Sequence, residues 1–396
     1  MYHQQAYALG SNRSCIRELF EYGRIRAKEV GPENVFDFSI GNPSIPAPPQ
    51  VDETIRQLLT DTDSLSLHGY TPAVGDDATR QAIAQSLHDR YGVDVTADEL
   101  FIGSGAAPEL CAVFKALTFP GAKILALAPY FPEYKPFVEA AGAIFEAVPP
   151  DIPGFQIPLQ ALEQRLTENT AAVIVNSPNN PSGAVYTRQA LQQLAQLLQR
   201  KQKQFGHPIY IVSDEPYREL VYDGVSVPFI PTIYTNTVVC YSFSKSLSLP
   251  GERIGYIYVP RQATDGQALY LAVAGAARSL GHVCAPSLWQ KVIARCCHLQ
   301  PDLLAYDKNR RTLYEGLLQA GYEIAPPDGA FYLFVKAPGG DAQAFSEFAK
   351  TMDILLVPGD GFGCPGWFRL CYCVSYDKIV RSLPVFARLL EKWNEK

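Results

Sequence analysis

Val238-Val-Cys-Tyr-Ser-Phe-Ser-Lys245 runs apolar, β-branched and aromatic for most of its length and then ends in hydroxyls and a lysine. Such a run reads as a buried strand, and its polar finish places chemistry at the strand's carboxyl end. The neighbours on either side repeat the pattern: IGYIYV at 254–259, IYIVSD at 209–214, AAVIVN at 171–176, KILALA at 123–128, and ELFI at 99–102 running into Gly103-Ser104-Gly105. Helical stretches separate them. TRQAIAQSLHDR at 79–90 stops before Gly92, PELCAVFKAL follows Gly105, and a helix opens at Thr187 with Leu191, Leu194, Leu197 and Leu198 on one face. Strands alternating with helices give an α/β fold with a mostly parallel sheet flanked by helices on both faces. In open sheets of this kind a ligand settles beyond the carboxyl ends of the strands, so the site is expected there.

Outside this region the pattern changes. IRELFEYGRIRAKEV near the start has helical spacing, and FSIGNPSIPAPP is extended because Pro43, Pro46, Pro48 and Pro49 forbid helix. From about Ala285 a long helical region leads to GAFYLFVK (329–336), LLVPGDGFG (355–363), WFRLCYC (367–373) and a final helix to Lys396, which together read as a smaller α+β domain. Three segments are therefore expected. Residues 1–49 form an arm and strap belonging with the small domain, 50–284 a large cofactor-binding domain, and 285–396 the small C-terminal domain.

The chain's 396 residues exceed the roughly 250–300 at which single cores stop growing, which supports more than one domain. Hydrophobic residues at 47% and charged residues at 19% exclude global disorder. A net charge of −6 offers no basic field for nucleic acid or an anionic membrane, so a small-molecule partner is expected. The nine cysteines include no C-x-x-C and read as buried thiols of a reducing compartment. No segment resembles a signal peptide or reaches the ~20 apolar residues of a membrane span, and a cytoplasmic location is expected. The six histidines are scattered without ligand spacing, so no metal is assigned.

The polar residues at strand ends describe a pocket for an anionic ring and a second carboxylate. Gly103-Ser-Gly-Ala-Ala107 lies between a strand and a helix, where Gly105, Ala106 and Ala107 let backbone N–H groups close on phosphate. With Pro108 where a third glycine would stand, it is not a dinucleotide fingerprint. Lys245 can form an imine, while Ser242, Ser244 and Arg253 in Pro250-Gly-Glu-Arg253 can hold a phosphate.

Four ordered motifs make the chain resemble the fold-type I pyridoxal-phosphate enzymes, specifically the class I/II aminotransferases. Asn176-Ser-Pro-Asn-Asn180-Pro-Ser-Gly183 resembles the family's N-P-[TS]-G turn, and Asp214-Glu-Pro-Tyr217 its D-x-x-Y strand end. Ser242-Phe-Ser-Lys245 with Arg253 resembles its lysine element, and Trp367-Phe-Arg369-Leu its late arginine strand. The resemblance spans nearly the whole chain. It implies pyridoxal 5'-phosphate on Lys245, with Asp214 facing the ring nitrogen and Tyr217 and Asn180 donating to the phenolic oxygen. Lys245 would then move the substrate proton, and Arg369, with Asn180 and the backbone N–H of Gly41, would grip the α-carboxylate. Phe131, preferred to Tyr130, is implied as the ring-stacking aromatic. Tyr70 resembles the tyrosine that reaches the phosphate from the neighbouring subunit, which implies a homodimer with shared sites.

Taken singly, each residue admits a plainer reading: Asp214 a helix cap, Tyr217 a packing aromatic, Asn180 a turn residue, Arg369 a surface cation. Pro216 and Ser182 depart mildly from the family pattern, and the loop Gly359-Asp-Gly-Phe-Gly363 reads as a turn bordering the pocket. Arg278 is a candidate partner for a distal carboxylate. The expected activity is ping-pong transfer of an amino group from an L-amino acid, with aspartate a candidate, to a 2-oxo acid such as 2-oxoglutarate. A C–S β-lyase on the same machinery and a non-catalytic amino-acid sensor are the alternatives.

Overall fold

In the computed structural model, residues 2–11 and 15–396 are described. Its centre is a seven-stranded sheet of β2 (Leu100–Gly103), β3 (Lys123–Leu127), β4 (Ile144–Val148), β5 (Thr170–Asn176), β6 (Tyr210–Asp214), β7 (Thr237–Ser242) and β8 (Gly255–Tyr258); β1 (Phe36–Asp37) lies elsewhere. The spatial order is β2-β8-β7-β6-β5-β3-β4. Strands β7 through β4 are parallel, while β8 runs antiparallel to both of its neighbours.

The continuous apolar runs of β5, β6 and β7 are buried along their whole length, as strands covered on both faces must be. Alternate residues serve opposite layers. Ile124, Ala126, Ile174 and Val212 pack with Leu110, Val113, Phe114 and Val273 on one face. Leu125, Leu127, Val173 and Ile211 meet Leu191, Leu194 and Leu198 on the other. The helices Asp77–Tyr91 and Arg188–Phe205 start on side-chain caps from Asp76 and Thr187 and stop at left-handed Gly92 and Gly206.

A second sheet orders β11 (Val357–Pro358), β12 (Trp367–Cys371) and β9 (Tyr332–Lys336), all antiparallel. Helices Leu303–Gln319 and Tyr376–Asn394 cover it, their Leu313, Leu317, Ile379 and Phe386 sharing one core cluster with Phe368 of β12. The short β1 (Phe36–Asp37) pairs parallel with β10 (Ile354–Leu355), tying the N-terminal strap to the C-terminal segment.

Three details differ from the sequence reading. The strand containing Lys245 ends at Ser242, and Phe243–Ser246 forms a helical turn because the Ser242 side chain accepts from the Ser244 amide. Strand β4 was not legible, since Ile144 is half exposed and Glu146 pairs with Lys123 and Arg165 at the sheet edge. All nine cysteines are free, but only Cys240, Cys296, Cys364, Cys371 and Cys373 are buried. Among the described residues no helix is long and apolar enough to cross a membrane, and no group of His, Cys, Asp or Glu could hold a metal.

Candidate active site

A cavity of about 280 Å³ opens beyond the carboxyl ends of β5, β6 and β7. Its lining residues come from stretches scattered along the chain, from Ile16 and Gly41 through Asp214 and Lys245 to Arg369.

The floor is acidic. Asp214 ends β6 and is buried; its Oδ2 accepts from the Tyr134 hydroxyl at 2.5 Å, while Oδ1 has no partner among the described residues. Burial pushes its pKa up to about 7, against the pull of the Tyr134 hydrogen bond, with Glu215 adding repulsion. An orphaned buried carboxylate oxygen facing a cavity is suited to a cationic N–H donor, which would lower that pKa again.

Lys245 sits in the helical turn after β7, and its Nζ donates to the Gly41 carbonyl at 2.7 Å. Burial lowers its pKa and the guanidinium groups of Arg253 and Arg369 lower it further, while Cys373 and Cys371 oppose the shift. A lysine biased toward its neutral amine is a competent nucleophile and base.

At the other end lies an anion cradle. The hydroxyls of Ser242 and Ser244 are 2.7 Å apart, and Arg253 is braced by its Nη1 donating to Pro250 O at 2.8 Å. Gly105 sits at φ +89, and a Cβ there would lie 3.0 Å from Arg253 Nη2 and 3.5 Å from Ser242 Oγ, so glycine keeps the cradle open. Ala106 and Ala107 open the helix Ala106–Leu117, whose N-terminal N–H groups and dipole add to the cradle. A dianionic tail fits this donor set.

Arg369 on β12 is 2% exposed and held from three sides. Its Nη1 donates to Asn180 Oδ1 at 2.9 Å and its Nη2 to Ser39 O at 2.6 Å, and its guanidinium lies over the rings of Tyr332 and Phe362. Nε remains without a partner among the described residues. Asn180 is positioned in turn by its backbone N–H donating to Asn176 Oδ1 at 2.7 Å. The Tyr217 hydroxyl lies 2.8 Å from that of Tyr332.

Thus Lys245, Asp214, Asn180, Tyr217, Ser242, Ser244, Arg253, Arg369, Gly41, Ala106, Ala107 and Phe131 line one cavity, and Gly105 stands directly behind Arg253. Gly41 faces it with its carbonyl engaged by Lys245. Tyr130 turns away to pack edge-on against Phe145, its amide donating to Phe362 O in the turn 359–363. Tyr70 does not line the cavity and is 89% exposed. Arg278 lines a different cavity, with Ala73, Val74 and His282. Sequence reasoning missed Tyr134, Tyr332 and Ile16 as neighbours of this site. Tyr332 carried a weak signal, the alternation within GAFYLFVK; Tyr134 and Ile16 carried none, because only chain packing brings them in.

Known proteins resemble this chain over nearly its whole length. The family model described as "Aminotransferase class I and II" matches residues 33–383. An amino transferase crystal structure from Eubacterium rectale superposes with a TM-score of 0.97 at 55% identity, covering 100% of this chain and 99% of that one. The aspartate aminotransferase of Thermus thermophilus with maleate gives 0.86 at 26% identity, over 98% and 99%. A probable aspartate/prephenate aminotransferase of Aquifex aeolicus is 28% identical over 93% of each chain.

Proposed function

This chain belongs to the class I and II aminotransferases, and from that premise we propose that it holds pyridoxal 5'-phosphate in the cavity at the strand ends and takes aspartate as amino donor. Amino transfer is ping-pong: an L-amino acid leaves as its 2-oxo acid before a second 2-oxo acid takes the amino group away. The observation that carries the cofactor assignment is the unpartnered Oδ1 of Asp214 facing the same cavity as Lys245 and the Ser242–Ser244–Arg253 cradle.

When bound, the cofactor supplies a cationic ring that takes up the electrons released as the substrate Cα loses its proton. The chain's own residues do the rest. Asp214 keeps the ring nitrogen protonated, and Tyr134 keeps Asp214 aimed. Ser242, Ser244, Arg253 and the N–H groups at Ala106 and Ala107 hold the phosphate, while Phe131 covers one ring face. Tyr217 and Asn180 bind the phenolic oxygen. Lys245 holds the cofactor and then carries the proton at Cα; Arg369 forks the α-carboxylate, with Asn180 and the strap at Gly41 beside it.

Aspartate is supported by the relatives, which are named aspartate and aspartate/prephenate aminotransferases, and by the dicarboxylate maleate named with the Thermus structure. A homodimer is supported by exposed apolar side chains: Leu65, Tyr70, Leu280 and Val283 are each more than half exposed, and the His282 ring donates to Ala73 O at 3.2 Å, joining the two segments that carry them. The nine free thiols fit a reducing, cytoplasmic setting. The β1–β10 pairing supports assigning residues 1–49 with 285–396, around the large domain 50–284.

The visible spectrum of purified protein supplied with cofactor tests this reading. Wild type should show a yellow band that fades on adding aspartate, faster than with alanine, glutamate or an aromatic amino acid; Lys245→Ala should lack the lysine-held band. Absence of the band in wild type would refute the cofactor assignment, and release of pyruvate and ammonia from cystathionine without an acceptor would point to elimination.

A further inference from the structure

We propose that Tyr332 is a positioning residue for amino transfer, its hydroxyl polarising Tyr217 and its ring seating Arg369. The inference deepens the cofactor reading above and rests on it. Tyr332 opens β9, opposite Cys371 of β12, and is 2% exposed. Its side chain meets three groups that have tasks of their own. The hydroxyl lies 2.8 Å from that of Tyr217, the ring sits 4.6 Å beneath the Arg369 guanidinium, and the hydroxyl occupies the space a side chain at Gly41 would need. The Gly41 carbonyl is the acceptor of Lys245 Nζ. One phenol therefore joins the strap, the carboxylate-binding arginine and the tyrosine aimed at the ring oxygen.

The direction of the shared hydrogen bond follows from Tyr217's task. Two hydroxyls 2.8 Å apart share one proton between them. If Tyr217 donates its own proton to the ring's phenolic oxygen, its oxygen must accept from Tyr332. Donation into that oxygen draws charge from it and strengthens Tyr217 as a donor in turn. Burial pushes both phenols well above their ordinary pKa, so both stay protonated and act as hydrogen-bond donors. Without the Tyr332 hydroxyl, Tyr217 binds the phenolic oxygen less firmly. More negative charge stays on that oxygen, and the proton it shares with the Lys245 nitrogen is held to higher pH.

The ring acts separately. An aromatic face beneath a buried guanidinium supports the cation without competing for its N–H donors, leaving them for a carboxylate.

Holoenzyme with Tyr332→Phe, Tyr332→Leu and, for reference, Tyr217→Phe separates the two parts. The readouts are the midpoint pH at which the visible band of the lysine-held cofactor titrates, and the Kd for maleate from spectral titration. Tyr332→Phe should raise the midpoint by about half to one pH unit, less than Tyr217→Phe, with maleate binding unchanged. Tyr332→Leu should raise it likewise and weaken maleate about threefold to thirtyfold. A Tyr332→Phe midpoint equal to that of wild type overturns the proposal for the hydroxyl, and unchanged maleate affinity in Tyr332→Leu overturns it for the ring. A wild type with no titrating band would instead bring down the cofactor reading itself.

Discussion

At Asp214 burial and a hydrogen bond pull in opposite directions, and burial wins. Burial pushes its pKa from the ordinary 3.8 up to about 7 in the folded chain. Between those values the folded protein holds a proton that the unfolded chain has released, so stability falls as pH rises from about 4 to 7. Asp214→Asn keeps the Tyr134 contact and removes the titration. Urea unfolding of the cofactor-free proteins should show wild type losing a few kcal/mol relative to Asp214→Asn across that window. Parallel pH profiles for the two would mean that Asp214 is ionised in the empty site. Bound cofactor should cancel the difference, because a ring N–H⁺ beside Oδ1 restores the charged form. The motif Asp214-Glu-Pro-Tyr217 singles the residue out, but its raised pKa was not legible in sequence, since that depends on Tyr134 and on how completely β6 is covered.

Among the elements, β8 shows how closely the scaffold is fitted to the site it supports. Gly255 pairs with both Gly103 and Ser242 across the sheet. A Cβ on it would run into Tyr241 O and would lie 2.6 Å from Glu109 Oε1 and 3.1 Å from Gly105 Cα. The backbone atoms among these cannot rotate away, and Gly105 backs the anion cradle of Ser242, Ser244 and Arg253. Gly255→Ala should cost about 1–3 kcal/mol in denaturant unfolding and weaken cofactor retention together with it; unchanged stability would mean that the sheet opens more easily than its packing suggests. Strands β5, β6 and β7 were readable because burial on both faces demands continuous apolar runs. The edge strand β4, half solvated and carrying Glu146, offered no such run. The helical turn Phe243–Ser246 was hidden for another reason: one side-chain cap at Ser242 ends a strand whose composition would allow it to continue.

For the molecule as a whole, Tyr70 sets the test. Fully outside its own cavity, it can serve the phosphate only from one chain into the next. Co-expressed Lys245→Ala and Tyr70→Phe chains should form hybrids in which one site regains wild-type cofactor affinity, because Lys245 from one chain meets Tyr70 from the other. Hybrids no better than Tyr70→Phe alone would place Tyr70 outside the site. The amino-acid sequence by itself determined the α/β architecture and the family, and it pointed to Lys245, Asp214, Asn180, Tyr217, Arg253 and Arg369, which the fold gathers around one cavity, because burial patterns repeat along a strand and the proposed reaction demands particular side chains at strand ends. Only the tertiary structure decided that Tyr134 aims Asp214, that Tyr332 joins Tyr217 to Arg369, and that Gly41 meets Lys245 through its carbonyl. Such contacts join distant positions, 80 apart for Tyr134 and Asp214 and 204 apart for Gly41 and Lys245. No local pattern encodes them; they arise when separately folded elements close on one another.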